Sequence, residues 1–324
     1  MKKDRIDLKS LSREAVETFM IGMGLPKYRS GQIVHWIYDK LVTDIDGITE
    51  FSKDLRTVLG QSAYVSNLKL IRRLISSDDT EKFLFSLEDG YTVESVLIPD
   101  EERLTLCVSS QVGCALGCLF CRTGMSGFTR NLKAHEIVDQ IISVNRLIRK
   151  DRPAGTQAEV SYEGGLSGRR ITNIVLMGMG EPLMNFDNVV EALLRLEDLM
   201  GISKRRITLS TSGIVPKLPL LFTKAPGVNL AVSLNAASNE VRDRLMPVNK
   251  KYPISALLNA CRKYPLRPGR KLTFEYVLID GLNDSPDDAR KLVHLLKGIK
   301  CRVNLIPFNP HEGSKLRRPS DQKV

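Results

Sequence analysis

Between about residues 10 and 60 the apolar positions recur every three or four residues. Val16, Phe19 and Met20 form one such set and Ile33, Trp36 and Ile37 another, with Gly22, Gly24, Pro26 and Gly47 at the breaks. That spacing predicts short helices joined by tight turns, a module whose Arg, Lys, Tyr28 and Trp36 could present a basic surface to RNA, with Trp36 in the core, in register with its apolar neighbours, as the favoured reading. From about 67 to 100 the period changes to two. Residues 68–71, 82–87 and 91–98 read as strands, with Glu88-Asp89-Gly90 as the hairpin turn between the last two. Glu94 lies inside the third run and shares the face of Val96 and Ile98 if the strand is regular. A carboxylate in such a place is ordinarily a solvent-facing residue of an edge strand; buried, its pKa would rise and it could act as a base.

Beyond residue 103 strand and helix patterns alternate. Strands are predicted at 104–108, 171–177, 206–209, 228–232, 271–278 and 302–306, and helices at about 134–148, 187–199, up to 264, and 286–296. Polar and Gly-rich residues follow the strands each time: Gly178-Met179-Gly180-Glu181-Pro182, Ser210-Thr211-Ser212-Gly213, Ser233-Leu234-Asn235, Ile279-Asp280-Gly281-Leu282-Asn283 and Pro307-Phe308-Asn309-Pro310. Repeated βα alternation requires a parallel sheet with right-handed crossovers, and places a site at the carboxyl ends of the strands. Six units are too few for the usual eight-stranded closure. The expected fold is therefore α/β, a partial (β/α)6 TIM-like barrel, with an open doubly wound sheet as the alternative. The domains expected are a helical accessory, RNA-binding module at 1–62, a β-rich linker or extension at 63–102 and the core at 103–324. Residues 151–170, polar and with four glycines, read as a mobile surface insertion.

Composition narrows the setting. No apolar run approaches the ~20 residues needed to cross a membrane, and the charged start Met1-Lys2-Lys3-Asp4-Arg5 has no apolar stretch after it. A cytoplasmic, monomeric protein without membrane contact is expected. The formal charge of +11 is high for an enzyme of small anions, and Arg72-Arg73, Lys204-Arg205-Arg206 and Arg317-Arg318 spread it along the chain. Phosphate-rich nucleic acid is the partner this suggests, and a merely soluble basic surface is the alternative.

Chemistry concentrates in one stretch. Cys114, Cys118 and Cys121 lie within eight residues, just after the strand-like run 104–108, so three thiols can converge on one point. A structural zinc site wants four ligands in paired C-x-x-C knuckles, whereas a cubane iron–sulfur cluster held by three thiolates keeps one iron open. The alternative is a zinc knuckle completed by His135 or Cys107. At the strand ends, Gly178 and Gly180 with Glu181 suit an amino group, Ser212, Ser233, Leu234 and Asn235 a carboxylate or ribose, and Asn309 an adenine.

The spacing C-x-x-x-C-x-x-C is similar to that of the radical S-adenosylmethionine (SAM) enzymes. More specifically, Cys107-Val-Ser-Ser-Gln-Val-Gly-Cys114-Ala-Leu-Gly-Cys118-Leu-Phe-Cys121, the run 127–132 (Gly-Phe-Thr-Arg-Asn-Leu), the run 178–185 (GMGEPLMN) and the run 28–33 (YRSGQI) resemble the RlmN and Cfr family of radical SAM RNA methyltransferases over nearly the whole chain. The resemblance implies a [4Fe–4S] cluster on Cys114, Cys118 and Cys121, SAM at Gly180, Glu181, Ser212, Ser233, Leu234, Asn235 and Asn309, and methylation of an adenine ring carbon in 23S rRNA. The RlmN branch acts on C2 and on the adenine following the anticodon of some tRNAs, and the Cfr branch on C8. The chain is expected to follow the first, with a flavodoxin or ferredoxin as electron donor; a non-catalytic, metal-containing RNA-binding protein is the rival.

An aromatic C–H carbon such as C2 is electrophilic and has no acidic proton, so a radical is needed. By the resemblance, one SAM methylates a C-terminal cysteine and a second yields a 5′-deoxyadenosyl radical that takes hydrogen from the S-methyl group. The methylene radical then adds to adenine. Glu94 matches the family's proton acceptor and Cys107 the thiol that releases the RNA adduct. Cys261 and Cys301 have no family role and read as core. No residue after Asn309 is a cysteine. The expectation is thus that these 324 residues bind cluster and SAM and cleave SAM slowly without transferring methyl to RNA.

Overall fold

The computed structural model describes residues 5–101, 103–150 and 170–324, so the insertion expected at 151–170 lies outside the described residues except for Arg170. The chain divides into two units: Met1–Val108, Lys133–Ile174 and Glu191–Ser203 form the first, and Ser109–Leu132, Val175–Val190 and Lys204–Val324 the second.

The first unit opens with β1 (Ile6–Asp7), α1 (Arg13–Gly22), α2 (Tyr28–Tyr38), α3 (Lys53–Ser62) and β2 (Ala63–Tyr64), the last pairing in parallel with β1. Ser12 caps α1 by accepting from the Ala15 amide at 3.2 Å; Val16, Met20, Ile33 and Ile37 are buried, as their spacing predicts, and so is Leu59 of α3. Trp36 is only half-buried, and its indole N–H donates to Glu50 at 2.9 Å. An antiparallel meander follows: β3 (Lys69–Ile75), β4 (Glu81–Ser86), β5 (Thr92–Asp100) and β6 (Arg103–Cys107).

The chain enters the second unit with β7 (Gln111–Gly113), α4 (Arg122–Met125) and β8 (Phe128–Asn131), then returns with α5 (Ala134–Lys150). Ile137, Val138, Ile141, Val144 and Ile148 bury the apolar stripe of α5. Its polar side anchors the start of the chain: the buried Lys9 ammonium pairs with Asp139, whose other oxygen accepts from the Leu68 amide at 3.0 Å. Burial lowers the Lys9 pKa against the pull of Asp139.

After β9 (Asn173–Leu176) and α6 (Phe186–Asp198) the second unit runs β10 (Ile207–Thr211), α7 (Leu218–Lys224), β11 (Asn229–Ser233), α8 (Asn239–Leu245), α9 (Ile254–Lys263), β12 (Leu272–Leu278), α10 (Pro286–Leu296) and β13 (Cys301–Pro307). β10 to β13 are parallel neighbours in chain order, as the alternation predicts. Leu209, Leu230, Val232 and Phe274 are buried on the strands and Leu221, Leu257 and Leu258 on the helices that cover them. A capping box, Ser285 with Asp288, and Pro286 in the first turn fix where α10 begins.

Candidate functional site

Cys114, Cys118 and Cys121 sit in the second unit on the loop between β7 and β8, whose shape is set by backbone contacts. Gly113 has φ +75°, and a Cβ there would fall 2.0 Å from the Gly127 carbonyl oxygen, so only glycine lets the two strands meet. The Cys114 amide donates to that carbonyl at 2.7 Å and the Leu119 amide to the Leu245 carbonyl, at the end of α8, at 2.9 Å. Leu116, Cys118 and Phe120 pack on a buried group of Leu245, Met246, Ile279 and Phe308, all beyond strand ends. The loop is thus held at the carboxyl side of the parallel strands.

Burial, with the neighbouring Cys121 and Cys114 acting in the same direction, pushes the Cys118 thiol up to about 12. Cys114 is raised by the same cause, burial first. Buried thiols held up in this way, Cys114 and Cys118, would become thiolates beside a cation, the charge that iron on this loop would supply. Among the described residues no three His, Cys, Asp or Glu side chains gather as they would around a single metal ion. A cubane does not ask this of them, because each thiolate holds a different iron. His135, the alternative fourth ligand, belongs to the first unit, where its Nε2 lies 3.6 Å from Asp7.

Beside the cysteine loop, the turns after β9, β10, β11 and β12 are tied into one polar rim. Gly180 has φ +98°, and a Cβ there would lie 2.5 Å from that of Gln111. The Gln111 side chain accepts from the Glu181 amide at 2.8 Å. Glu181, 3% exposed, accepts at one oxygen from Thr211 Oγ1 at 2.7 Å and the Leu183 amide at 3.0 Å, and at the other from the Ser212 amide at 2.8 Å and Ser212 Oγ at 2.6 Å. Those four donors fill the lone-pair sites of a carboxylate. Burial still raises the Glu181 pKa, with the hydrogen bonds acting the other way. Its carboxylate thus joins two loops, at the place where the sequence expects an amino group of SAM.

Arg242 continues the rim. Fully buried in α8, its guanidinium donates to the carbonyls of Leu234 (3.0 Å), Ser212 (2.7 Å) and Ser233 (3.1 Å) and to Asn249 Oδ1 (2.9 Å). Burial lowers its pKa to about 10, with Cys118 acting to raise it. Asn235, in the left-handed region at φ +58°, accepts from the Val277 amide at 2.8 Å through Oδ1, and its Nδ2 meets the Met246 sulfur at 3.2 Å. Asn283 donates to the Asn235 carbonyl at 2.8 Å. The side chain of Asn235, like that of Glu181, faces the protein. Leu234 is buried, Ser233 half-buried and Asn309 exposed, and Gly178 and Gly180 leave backbone accessible.

Sequence reasoning passed over Arg242, Gln111 and Asn283. Arg242 had a signal: it falls between Ser238 and Leu245 on the apolar side of α8, where a cation is buried only if carbonyls await it.

In the first unit the sheet register brings Glu94 and Cys107 onto one face. Val96 is opposite Cys107 and Leu84 opposite Glu94, so Glu94, Val96 and Cys107 point the same way. β5 lies between β4 and β6, so Glu94 is not an edge residue. It is half-buried, Cys107 is 9% exposed, and Lys82 Nζ reaches Glu94 Oε1 at 2.8 Å. Cys261 is buried in α9, which pushes its thiol up to about 12, and Cys301 is half-buried at the start of β13.

Comparison with known proteins adds the following. Residues 108–293 match the profile of the Radical SAM superfamily, and residues 6–65 that of the ribosomal RNA large subunit methyltransferase N-terminal domain. The chain is 49% identical, over 99% of its length and 81% of the relative's, to a dual-specificity RNA methyltransferase RlmN of Syntrophotalea carbinolica. With the protein of the same description from Geobacter sulfurreducens it shares 48%, over 98% and 83%. The crystal structure of a radical SAM methyltransferase from Sphaerobacter thermophilus superposes with a TM-score of 0.89 at 42% identity, covering 98% of this chain and 89% of that one.

Proposed function

Because the chain belongs to the RlmN family of radical SAM RNA methyltransferases, with the α/β fold, cluster and SAM of that family, we propose that the reaction its site serves is methylation of C2 of adenine in 23S rRNA and in tRNA beside the anticodon. The observation that carries the reading is the cysteine loop seated against the carboxyl side of the parallel strands, with a rim of accessible backbone alongside.

Cys114, Cys118 and Cys121 hold the cluster, which with SAM supplies one-electron reductive cleavage of the sulfonium. The backbone at Gly178 and Gly180, Ser233 and the exposed Asn309 receive SAM, while Glu181, Ser212, Leu234 and Asn235 keep those groups in place. Glu94 accepts the ring proton, and Cys107, on the same face, is the thiol that releases the RNA adduct. Lys82 holds the Glu94 carboxylate in position. An acidic flavodoxin or ferredoxin delivers electrons, and the protein works as a monomer in the cytoplasm. Among the described residues no helix is long and apolar enough to cross a membrane.

Anaerobic reconstitution tests the assignment. The protein should take up about four irons and gain broad visible absorption. Replacing any of the three cysteines with Ala should abolish both the cluster and SAM cleavage. Zinc uptake without iron, or a SAM-cleaving cluster in such a variant, would count against it, and a product carrying methyl at C8 would refute the positional choice.

A further inference from the structure

The end of the parallel strands away from the cysteine loop carries a charge pattern that the reaction does not use. Leu272 pairs with Cys301, Ala231 with Thr273 and Thr208 with Asn229, so the entrances of β10 to β13 are level to within about a residue. At about 4.8 Å per strand they form an edge some 15 Å wide. The segments leading into it are basic. Lys204-Arg205-Arg206 precedes β10 and Lys224 precedes β11; Arg267, Arg270 and Lys271 precede β12, and Lys297 and Lys300 precede β13. No Asp or Glu occurs in residues 199–207, 224–229, 261–272 or 296–302.

Helix dipoles account for part of this, since Lys224, Arg262 and Lys263 close α7 and α9. They do not account for the cations of the loops. Arg205, Arg206, Arg267, Arg270, Lys271 and Lys300 are exposed, and among the described residues none of them meets a carboxylate. Arg270 and Arg262 instead reach neutral acceptors, Asn229 Oδ1 and the Leu295 carbonyl. Elsewhere in this unit several cations do meet carboxylates: Lys291 pairs with Asp287, Arg318 with Asp321 and Lys323 with Asp280 and Asp284. An edge whose loop segments carry cations and no Asp or Glu is complementary to a partner that brings its own negative charge.

We propose that this edge docks the phosphate backbone of duplex RNA lying outside the reacting nucleotide. A backbone is the fit because phosphates position without specifying, and the edge offers cations but no exposed aromatic platform: Phe222 and Tyr264 beside it are half-buried and packed edge to face on one another. An acidic electron donor fits less well. It would sit a strand length from the cluster, about 20 Å for the seven residues of β12. Family membership contributes only that RNA is at hand.

The probe is a blunt RNA duplex without loop or bulge, which presents no unstacked adenine to the reaction site. Its affinity for the reconstituted enzyme is measured across a salt series for the parent, for R267Q/R270Q/K271Q and for R205Q/R206Q. The slope of log affinity against log salt should become shallower by about one per cation removed. R267K/R270K should retain it, and iron content and SAM cleavage under dithionite should stay at parental values in all variants. A parent that ignores the duplex, or variants with unchanged affinity and slope, would overturn the proposal. So would variants that keep duplex affinity yet accept electrons more slowly from an acidic flavoprotein, which would make the edge a protein-docking surface. Failure of iron uptake in the parent would strike the family reading instead and leave the duplex measurement to decide this one.

Discussion

Replacing Arg242 with Met should cost more stability than removing any exposed cation of the chain. The guanidinium is fully buried and matches four acceptors, the carbonyls of Ser212, Ser233 and Leu234 and the side chain of Asn249. Methionine has comparable volume and no donor. Each acceptor left dry in the interior costs about 1–3 kcal/mol, while removing the buried charge relieves its desolvation, so the balance should fall near 3–5 kcal/mol. Against a total stability of roughly 5–15 kcal/mol that is a large fraction. R242K should lie between, because an ammonium is a point donor and cannot copy the planar fork that spans two strand ends. Urea unfolding of parent and variants, followed by circular dichroism, reads the difference. SAM-induced change in the spectrum of the reduced cluster reads the local effect, which should vanish in R242M even where the chain remains folded. A loss in R242M below about 1 kcal/mol, with the SAM response intact, would show that the carbonyls find water or other donors and that the rim does not depend on this residue.

Gly180→Ala should abolish SAM binding, measured by equilibrium dialysis, because its Cβ would meet Gln111 Cβ at 2.5 Å on a backbone with φ +98° and the turn after β9 would have to move. Glu181→Gln turns one of two filled acceptor oxygens into an NH2 group facing donors, and should destabilise by about 2–4 kcal/mol in the same urea assay, against near-neutrality if the carboxylate were solvent-facing. His135 is held below its ordinary value, burial outweighing the pull of Asp7, so it stays neutral in the folded protein at a pH where it would protonate in the unfolded chain. Its contribution is whole above about pH 6.5 and is lost as pH falls below that, with a slope of at most about 1.4 kcal/mol per pH unit; H135Q should flatten the pH dependence of the urea midpoint between pH 7 and 5.

The periodicity made the strands and helices of the second unit legible, because β11 and β12 carry apolar runs buried on both sides and the parallel strands are bounded by polar turns, even where β13 is exposed along its length. The cysteine spacing likewise marked the loop between β7 and β8. The roles of side chains within the rim were not legible. Glu181, Ser212 and Asn235 read from sequence as polar groups at strand ends; that they also tie the loops together, through Thr211, Val277 and one another's loops, is a pairing set by strand order and visible only in three dimensions. Trp36 shows the reverse limit: helical register assigns it to the core, but its indole N–H must find an acceptor, and Glu50 at the surface supplies one. Glu94 and Cys107, thirteen positions apart, share a face only because the turn between β5 and β6 sets Val96 opposite Cys107, and a slip of one residue would have turned them to opposite sides.

The Glu181 contacts bear on how such proteins could be recombined. With every lone pair of that carboxylate answered by residues 183, 211 and 212, the segment after β9 has no independent conformation to inherit. A chimera that imports 178–185 from a distant relative while keeping the native 211–213 would bring a carboxylate to foreign donors, and should misfold locally however similar the two donors are elsewhere. Exchanged together with Gln111 and Arg242, the same pieces form a self-contained cassette that could be moved between scaffolds as a single part.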